Sequence, residues 1–157
     1  MTREEFVAEY GFAYESSPWI AERAYERGPF DDLGSVIAAL RETVEAATEE
    51  EQLALICAHP DLAGRAAVAG ELTPASTSEQ ASAGLDRLDP ATHTRLTGFT
   101  ARYRRRFGFP YVVCVREHTL QSIVDDVKGR ISHDRSTELR TALAEIHKIA
   151  ALRLADR

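Results

Sequence analysis

His59 stands in Ala-His-Pro-Asp-Leu, just beyond an apolar run, Leu53 to Cys57, that reads as helix. The residue before a proline is pushed away from the α region, so that helix must stop near Ala58 and His59. An imidazole left at such an end can project into a cleft. It titrates near neutral pH and can donate or accept a proton, which suits general acid–base work. A histidine satisfied within a helix-terminating turn is the plainer alternative. No metal site is expected, because His93, His118, His133 and His147 lack the H-x-x-x-H or cysteine spacing of zinc sites.

Ser76-Thr77-Ser78-Glu79-Gln80 places a carboxylate beside an amide. Side by side, these groups offer the donors and acceptors that would bind a urea-like or imide group. The same residues read as a capping box, with Ser76 as the cap and Glu79 at the third helical position. A helix N-terminus of that kind also presents free N–H groups and a positive dipole end to an anion. Arg153 lies seven residues after Ile146 and fourteen after Leu139, so it continues the inward stripe of the last helix. Its guanidinium either snorkels at the helix end or aims its fork at an anion in a pocket.

The elements that must position these groups are helical. Phe6, Val7 and Tyr10 space an apolar face across the first segment, and Ser17-Pro18, Asp31 or Asp32, and the capping box Thr48–Glu51 each open a helix. Asp89-Pro90 opens another, whose Leu96, Phe99, Tyr103 and Phe107 form one stripe until Gly108 and Pro110 end it. Thr119 caps the next, and Asp134 or Ser136 starts the last, which should bury Leu139, Leu143, Ile146 and Ala150. Tyr111–Val115 is the one strand-like run, and an isolated strand builds no sheet. It is expected to lie as extended backbone against helices. The fold class that follows is all-α, a single-domain compact bundle of roughly eight short helices.

Composition limits the function classes. The 157 residues carry 19 basic and 25 acidic side chains, a net charge of −6, which disfavours a nucleic-acid binder. The cluster Arg104-Arg105-Arg106 lies in a last helical turn, where cations meet the helix dipole. Only Lys128 and Lys148 are lysines, so arginine dominates, and which of these forks meets an anion is an open question. Cys57 and Cys114 sit in apolar runs with no C-x-x-C pairing, in keeping with a reduced, cytoplasmic setting. No apolar run approaches the ~18 residues of a membrane span, and the acidic N-terminus does not read as a signal peptide.

Four motifs in order, H-P-D-L at 59–62, S-x-x-E-Q with A-G-L at 76–85, Y-x-x-x-F-G-F-P at 103–110, and the register from Glu138 to Arg153-Leu154, are together distinctive. They resemble the 2-oxo-4-hydroxy-4-carboxy-5-ureidoimidazoline (OHCU) decarboxylase family. The resemblance covers roughly residues 50–155. It implies a cofactor-free, all-helical enzyme of urate breakdown that releases CO₂ and yields (S)-allantoin, commonly as a homodimer. It implies His59 as the catalytic histidine and Glu79 as its partner acid. Substrate contacts would come from Pro60, from Ser76, Thr77, Ser78 and Gln80, from Tyr111, Val112, Val113, Cys114 and Val115, and from Arg153. The family's usual Asn is replaced by Thr100, and its frequent Phe after F-G-F-P by Tyr111. A non-catalytic helical ureide-binding or interaction module is the alternative, and it would bind ureides without turnover.

Overall fold

The structure, a computed structural model, describes residues 1–64, 67 and 69–157. Seven of the eight α-helices among the described residues open on a side chain that accepts an N–H from the first turn. Thr2 caps α1 (Arg3–Tyr10), Asp32 caps α3 (Leu33–Glu45) and Thr48 caps α4 (Glu49–Cys57). Thr73 caps α5 (Pro74–Ser82), Asp89 caps α6 (Pro90–Phe107) and Thr119 caps α7 (Leu120–Arg130). Asp134 takes the Thr137 N–H at 2.7 Å and opens α8 (Arg135–Ala155). The exception is α2 (Trp19–Ala24), which has no side-chain cap. Ser17 does not serve it, because its buried hydroxyl donates instead to the Glu15 carbonyl at 2.8 Å.

The fold is all-α, and no strand occurs among the described residues. The chain divides into two compact units, residues 1–58 with 146–157, and residues 59–145. In the first, α2 packs on both α1 and α3, and its core holds Phe6, Ile20, Leu40, Leu55, Ile56 and, from the second half of α8, Ile146 and Leu154. In the second, α6 packs on α7 around Leu96, Tyr103, Phe107, Phe109, Ile123 and Val127. Gly108 ends α6 in the left-handed region, φ 81°, as a helix-terminating glycine should.

Two stripe positions differ from expectation. Leu139 is only half-buried, and the side chain fully enclosed beside it is Glu138, at 0% exposure. On α6, Phe99 is half-buried while Thr100 is buried. Two helices are also not short, since α6 has 18 residues and α8 has 21.

Candidate active site

Cys57 closes α4 and His59 follows two residues on, as Pro60 requires. His59 is 6% exposed. It makes interactions of its own, while its buried Nε2 has no hydrogen-bond partner among the described residues. The chain then turns over Asp61–Gly64, with the Gly64 N–H donating to the Asp61 carbonyl at 3.3 Å. Ala63 sits at the third position of this turn at φ 50°, a region that favours glycine or asparagine.

Side chains from two helices hold that turn in place. The Ala63 N–H donates to Gln80 Oε1 on α5 at 2.9 Å, and the Ala63 carbonyl accepts from His93 Nε2 on α6 at 2.9 Å. The latter bond needs a hydrogen on His93 Nε2, since a carbonyl only accepts. Gln80 Nε2 also reaches the Asp61 carbonyl at 3.5 Å, the outer limit for such a bond. Asp61 and Arg104 form a half-exposed ion pair at 3.2 Å, which contributes little by itself. Cavities of about 530 Å³ and 390 Å³ open beside Ala63 and His93, and the lining of neither includes His59 or Glu79.

α5 begins three residues earlier than the Ser76 capping box would have it. Thr73 is the cap, Pro74 is the first helical residue, and the Ser76 N–H donates to Thr73 Oγ1 at 3.2 Å. The reason is physical: proline needs no helical N–H partner and its fixed φ is already helical, so Thr73-Pro74 outcompetes Ser76. Ser76 to Gln80 therefore do not present a helix N-terminus to an anion, and the Thr77 N–H is already bonded to the Thr73 carbonyl at 2.9 Å. Ser76 and Gln80 are buried, Glu79 is half-buried, and Thr77 and Ser78 are exposed.

Tyr111 to Val115 are all buried and belong to no strand. Val115 opens a single 3₁₀ turn, Val115–Glu117, which packs on α5. Glu79 lies within electrostatic reach of Cys114: burial, then Glu117, Glu145 and Glu79, push that thiol up to about 11. The Cys114 N–H donates to Glu145 at 3.2 Å. The second unit thus gathers the His59 turn, α5 and Tyr111–Val115 through direct contacts with α5.

Arg153 belongs to the other unit and turns inward there, 6% exposed. Its fork meets an internal anion: Nη2 donates to buried Glu15 at 2.7 Å and Nη1 to the Phe12 carbonyl at 3.2 Å. This excludes snorkelling. Thr100 turns its hydroxyl back onto the Thr97 carbonyl at 3.2 Å, a local bond within α6. Among the described residues no cluster of three potential metal ligands occurs, and no helix is long and apolar enough to cross a membrane.

A family description, OHCU decarboxylase, matches residues 1–155. The chain belongs to the OHCU decarboxylase family. It is 44% identical over 154 residues to the 2-oxo-4-hydroxy-4-carboxy-5-ureidoimidazoline decarboxylase of Haloferax volcanii, covering 98% of this chain and 89% of that one. Against the same-named protein of Amia calva it is 34% identical, covering 99% and 89%. Its fold is similar to that of an (S)-allantoin synthase crystal structure, TM-score 0.78 and 26% identity, with 99% of this chain spanning 50% of that one. The backbone also matches a crystal structure of an OHCU decarboxylase in the presence of (S)-allantoin, TM-score 0.75 and 24% identity, over 94% of this chain and 95% of that one.

Within this family member, the motif residues of the second unit do more than line up in order. Gln80 joins the helix of Glu79 directly to the turn that follows His59. Sequence reasoning missed the bracing residues Ala63 and His93. Asp61 at the start and Gly64 at the end of a four-residue turn were the available signal.

Proposed function

We propose that this chain decarboxylates OHCU to (S)-allantoin and CO₂ in urate breakdown, with both units acting as one domain over residues 1–157. The observation that carries the reading is the 2.9 Å bond from the Ala63 N–H to Gln80, which ties the two motifs bearing His59 and Glu79 to one another. In this reading the bond between the ring carbon and its carboxylate breaks, and its electron pair moves into the ring system. CO₂ departs, and a proton then returns to that carbon on one face. His59 donates the proton and is reprotonated from solvent. Glu79 orients the imidazole and tunes its charge, as carboxylates do for other acid–base histidines.

Pro60, Ser76, Thr77, Ser78 and Gln80 frame the pocket, and the backbone of Tyr111–Val115 reads the ureide and ring amides. Val113 is one residue of that segment suited to the task. It is 3% exposed, and its N–H and C=O have no hydrogen bond among the described residues. Buried backbone groups need partners, and a ligand with amide edges would supply them. Arg153 would add a contact to an anionic or carbonyl oxygen of the substrate. No cofactor enters this chemistry, the partner is the small molecule rather than nucleic acid, and the assembly is a homodimer in the cytoplasm.

The test is circular dichroism of allantoin formed from freshly generated OHCU. The wild-type chain should accelerate appearance of the (S)-enantiomer over the uncatalysed background. His59→Ala should lose about 10²–10⁴-fold in rate, the usual contribution of a positioned general acid. Ureide binding without turnover would refute the enzymatic reading. An active His59→Ala would refute only the assignment of the proton donor.

A further inference from the structure

The second unit encloses a charged cluster that the proposed chemistry does not use. Arg130 on α7 is 4% exposed. Its Nε donates to Glu138 at 2.7 Å, and its Nη1 donates to the Val112 carbonyl at 2.8 Å. Glu138, fully buried, also accepts from the Tyr103 hydroxyl at 2.6 Å. The Arg130 guanidinium lies over the Tyr111 ring at 4.7 Å, and the Tyr111 hydroxyl donates to Asp126 at 2.5 Å. Asp126 in turn stands 3.5 Å from Arg130 Nη1.

The cluster therefore grips consecutive residues of one unpaired segment: Tyr111 by ring and hydroxyl, and Val112 by its carbonyl. A short stretch of backbone outside any helix or sheet has no ladder of its own to fix its register. A buried guanidinium can do so because its planar fork reaches a carboxylate and a carbonyl at once, which the point charge of lysine cannot. The hydroxyl of Tyr111 joins the cluster through Asp126.

We infer that Arg130, held by Glu138 and Asp126, is a positioning residue that fixes the peptide edge at Val113 for the substrate. This rests on the reading that Tyr111–Val115 contacts OHCU. Arg130 itself touches no reacting atom.

The experiment compares wild type with Arg130→Lys in the full chain, by steady-state kinetics on OHCU and by amide hydrogen exchange of the peptide spanning residues 110–117. KM should rise about tenfold, since small misplacements of binding groups carry large penalties. The pH profile of kcat should keep its shape, and exchange across 110–117 should accelerate. A merely structural role predicts a lower melting temperature and less active protein with KM and local exchange unchanged, and that result overturns the inference. If Arg130→Lys does not fold, Asp126→Asn decides. Its side chain is 32% exposed, and KM should rise about two- to threefold with the same local exchange signature. Unchanged KM and exchange in that variant overturn the inference equally. If the wild type shows no turnover, the functional reading has failed, and exchange alone judges the role of Arg130.

Discussion

Gln80→Leu is the perturbation that most directly tests how the site is held. Leucine keeps the approximate size and the helix but removes both polar atoms. Two hydrogen bonds disappear, and they are unequal. The 3.5 Å contact to the Asp61 carbonyl is at the geometric limit and contributes little. The 2.9 Å bond from the Ala63 N–H is different, because Ala63 is 3% exposed and its donor would be left buried without an acceptor. An orphaned buried donor costs about 1–3 kcal/mol. The turn offers no cheap relaxation while it remains docked, since Ala63 already sits at φ 50° and His93 holds its carbonyl.

A loss of about 2 kcal/mol lowers the melting temperature of a chain this size by roughly 4–8 °C. Activity should fall further than stability, by roughly 10²-fold, because the same turn carries His59 and a misplacement of order 1 Å has that effect. Thermal melts followed by circular dichroism, with allantoin formation measured well below the transition, give both numbers. Gln80→Glu is the informative companion, because it keeps an acceptor for Ala63. It should recover most of the stability while its new oxygen opposes the Asp61 carbonyl. A Gln80→Leu protein that melts with the wild type and turns over normally would refute the claim that Gln80 holds the turn.

The remaining predictions concern the first unit. Arg153→Met removes the guanidinium paired with the Glu15 carboxylate, 3% exposed, and should cost about 3–5 kcal/mol by urea denaturation. Arg153→Met with Glu15→Leu should regain most of that, and low activity in the regained fold would separate a ligand role for Arg153 from its structural one. His147 accepts from the Tyr14 hydroxyl at 2.7 Å through Nδ1 and donates to Glu45 at 3.0 Å through Nε2, an arrangement that suits the neutral ring. Burial, only partly countered by Glu45, lowers its pKa below the ordinary 6.5. The unfolded chain then binds more protons between the two values, so stability is full above about pH 6.5 and is lost as pH falls below it. His147→Gln should flatten the acid limb of the urea midpoint measured from about pH 5 to about pH 7.5, and parallel limbs for the two proteins would contradict this.

Most of the helical frame was legible because caps are local. Thr48 with Glu51, Asp89 before Pro90, Thr119 and Gly108 all act within one turn of themselves, and the structure uses each. Ser76 shows where local rules fail. Thr73-Pro74 and Ser76–Glu79 are both helix-start signatures three residues apart, and only the pre-set φ of proline chooses between them. The bracing of the His59 turn was not legible, because Gln80 and Ala63 are 17 residues apart in sequence. The burial of Glu138 was not legible for a third reason. A periodicity reading turns charges outward, and its 0% exposure makes sense only once Arg130 and Tyr103 surround it.

Arg130 and Arg153 together answer the question raised by the arginine-rich composition. Each is buried, one in each unit. Each divides its fork between a buried carboxylate and a main-chain carbonyl outside the α-helices: Glu138 and Val112 in one case, Glu15 and Phe12, within the single 3₁₀ turn Gly11–Ala13, in the other. A buried ion pair alone is a weak source of stability, because desolvation of both charges consumes the Coulombic gain. What the carbonyl adds is location, since a short segment outside the α-helices has no long ladder of its own and the fork supplies a fixed anchor. Lysine at either position could satisfy the carboxylate or the carbonyl but not hold both in one plane. The exposed arginines of α6 need no such geometry, as Arg104 with half-exposed Asp61 shows. The two buried forks are thus set apart by geometry rather than by charge.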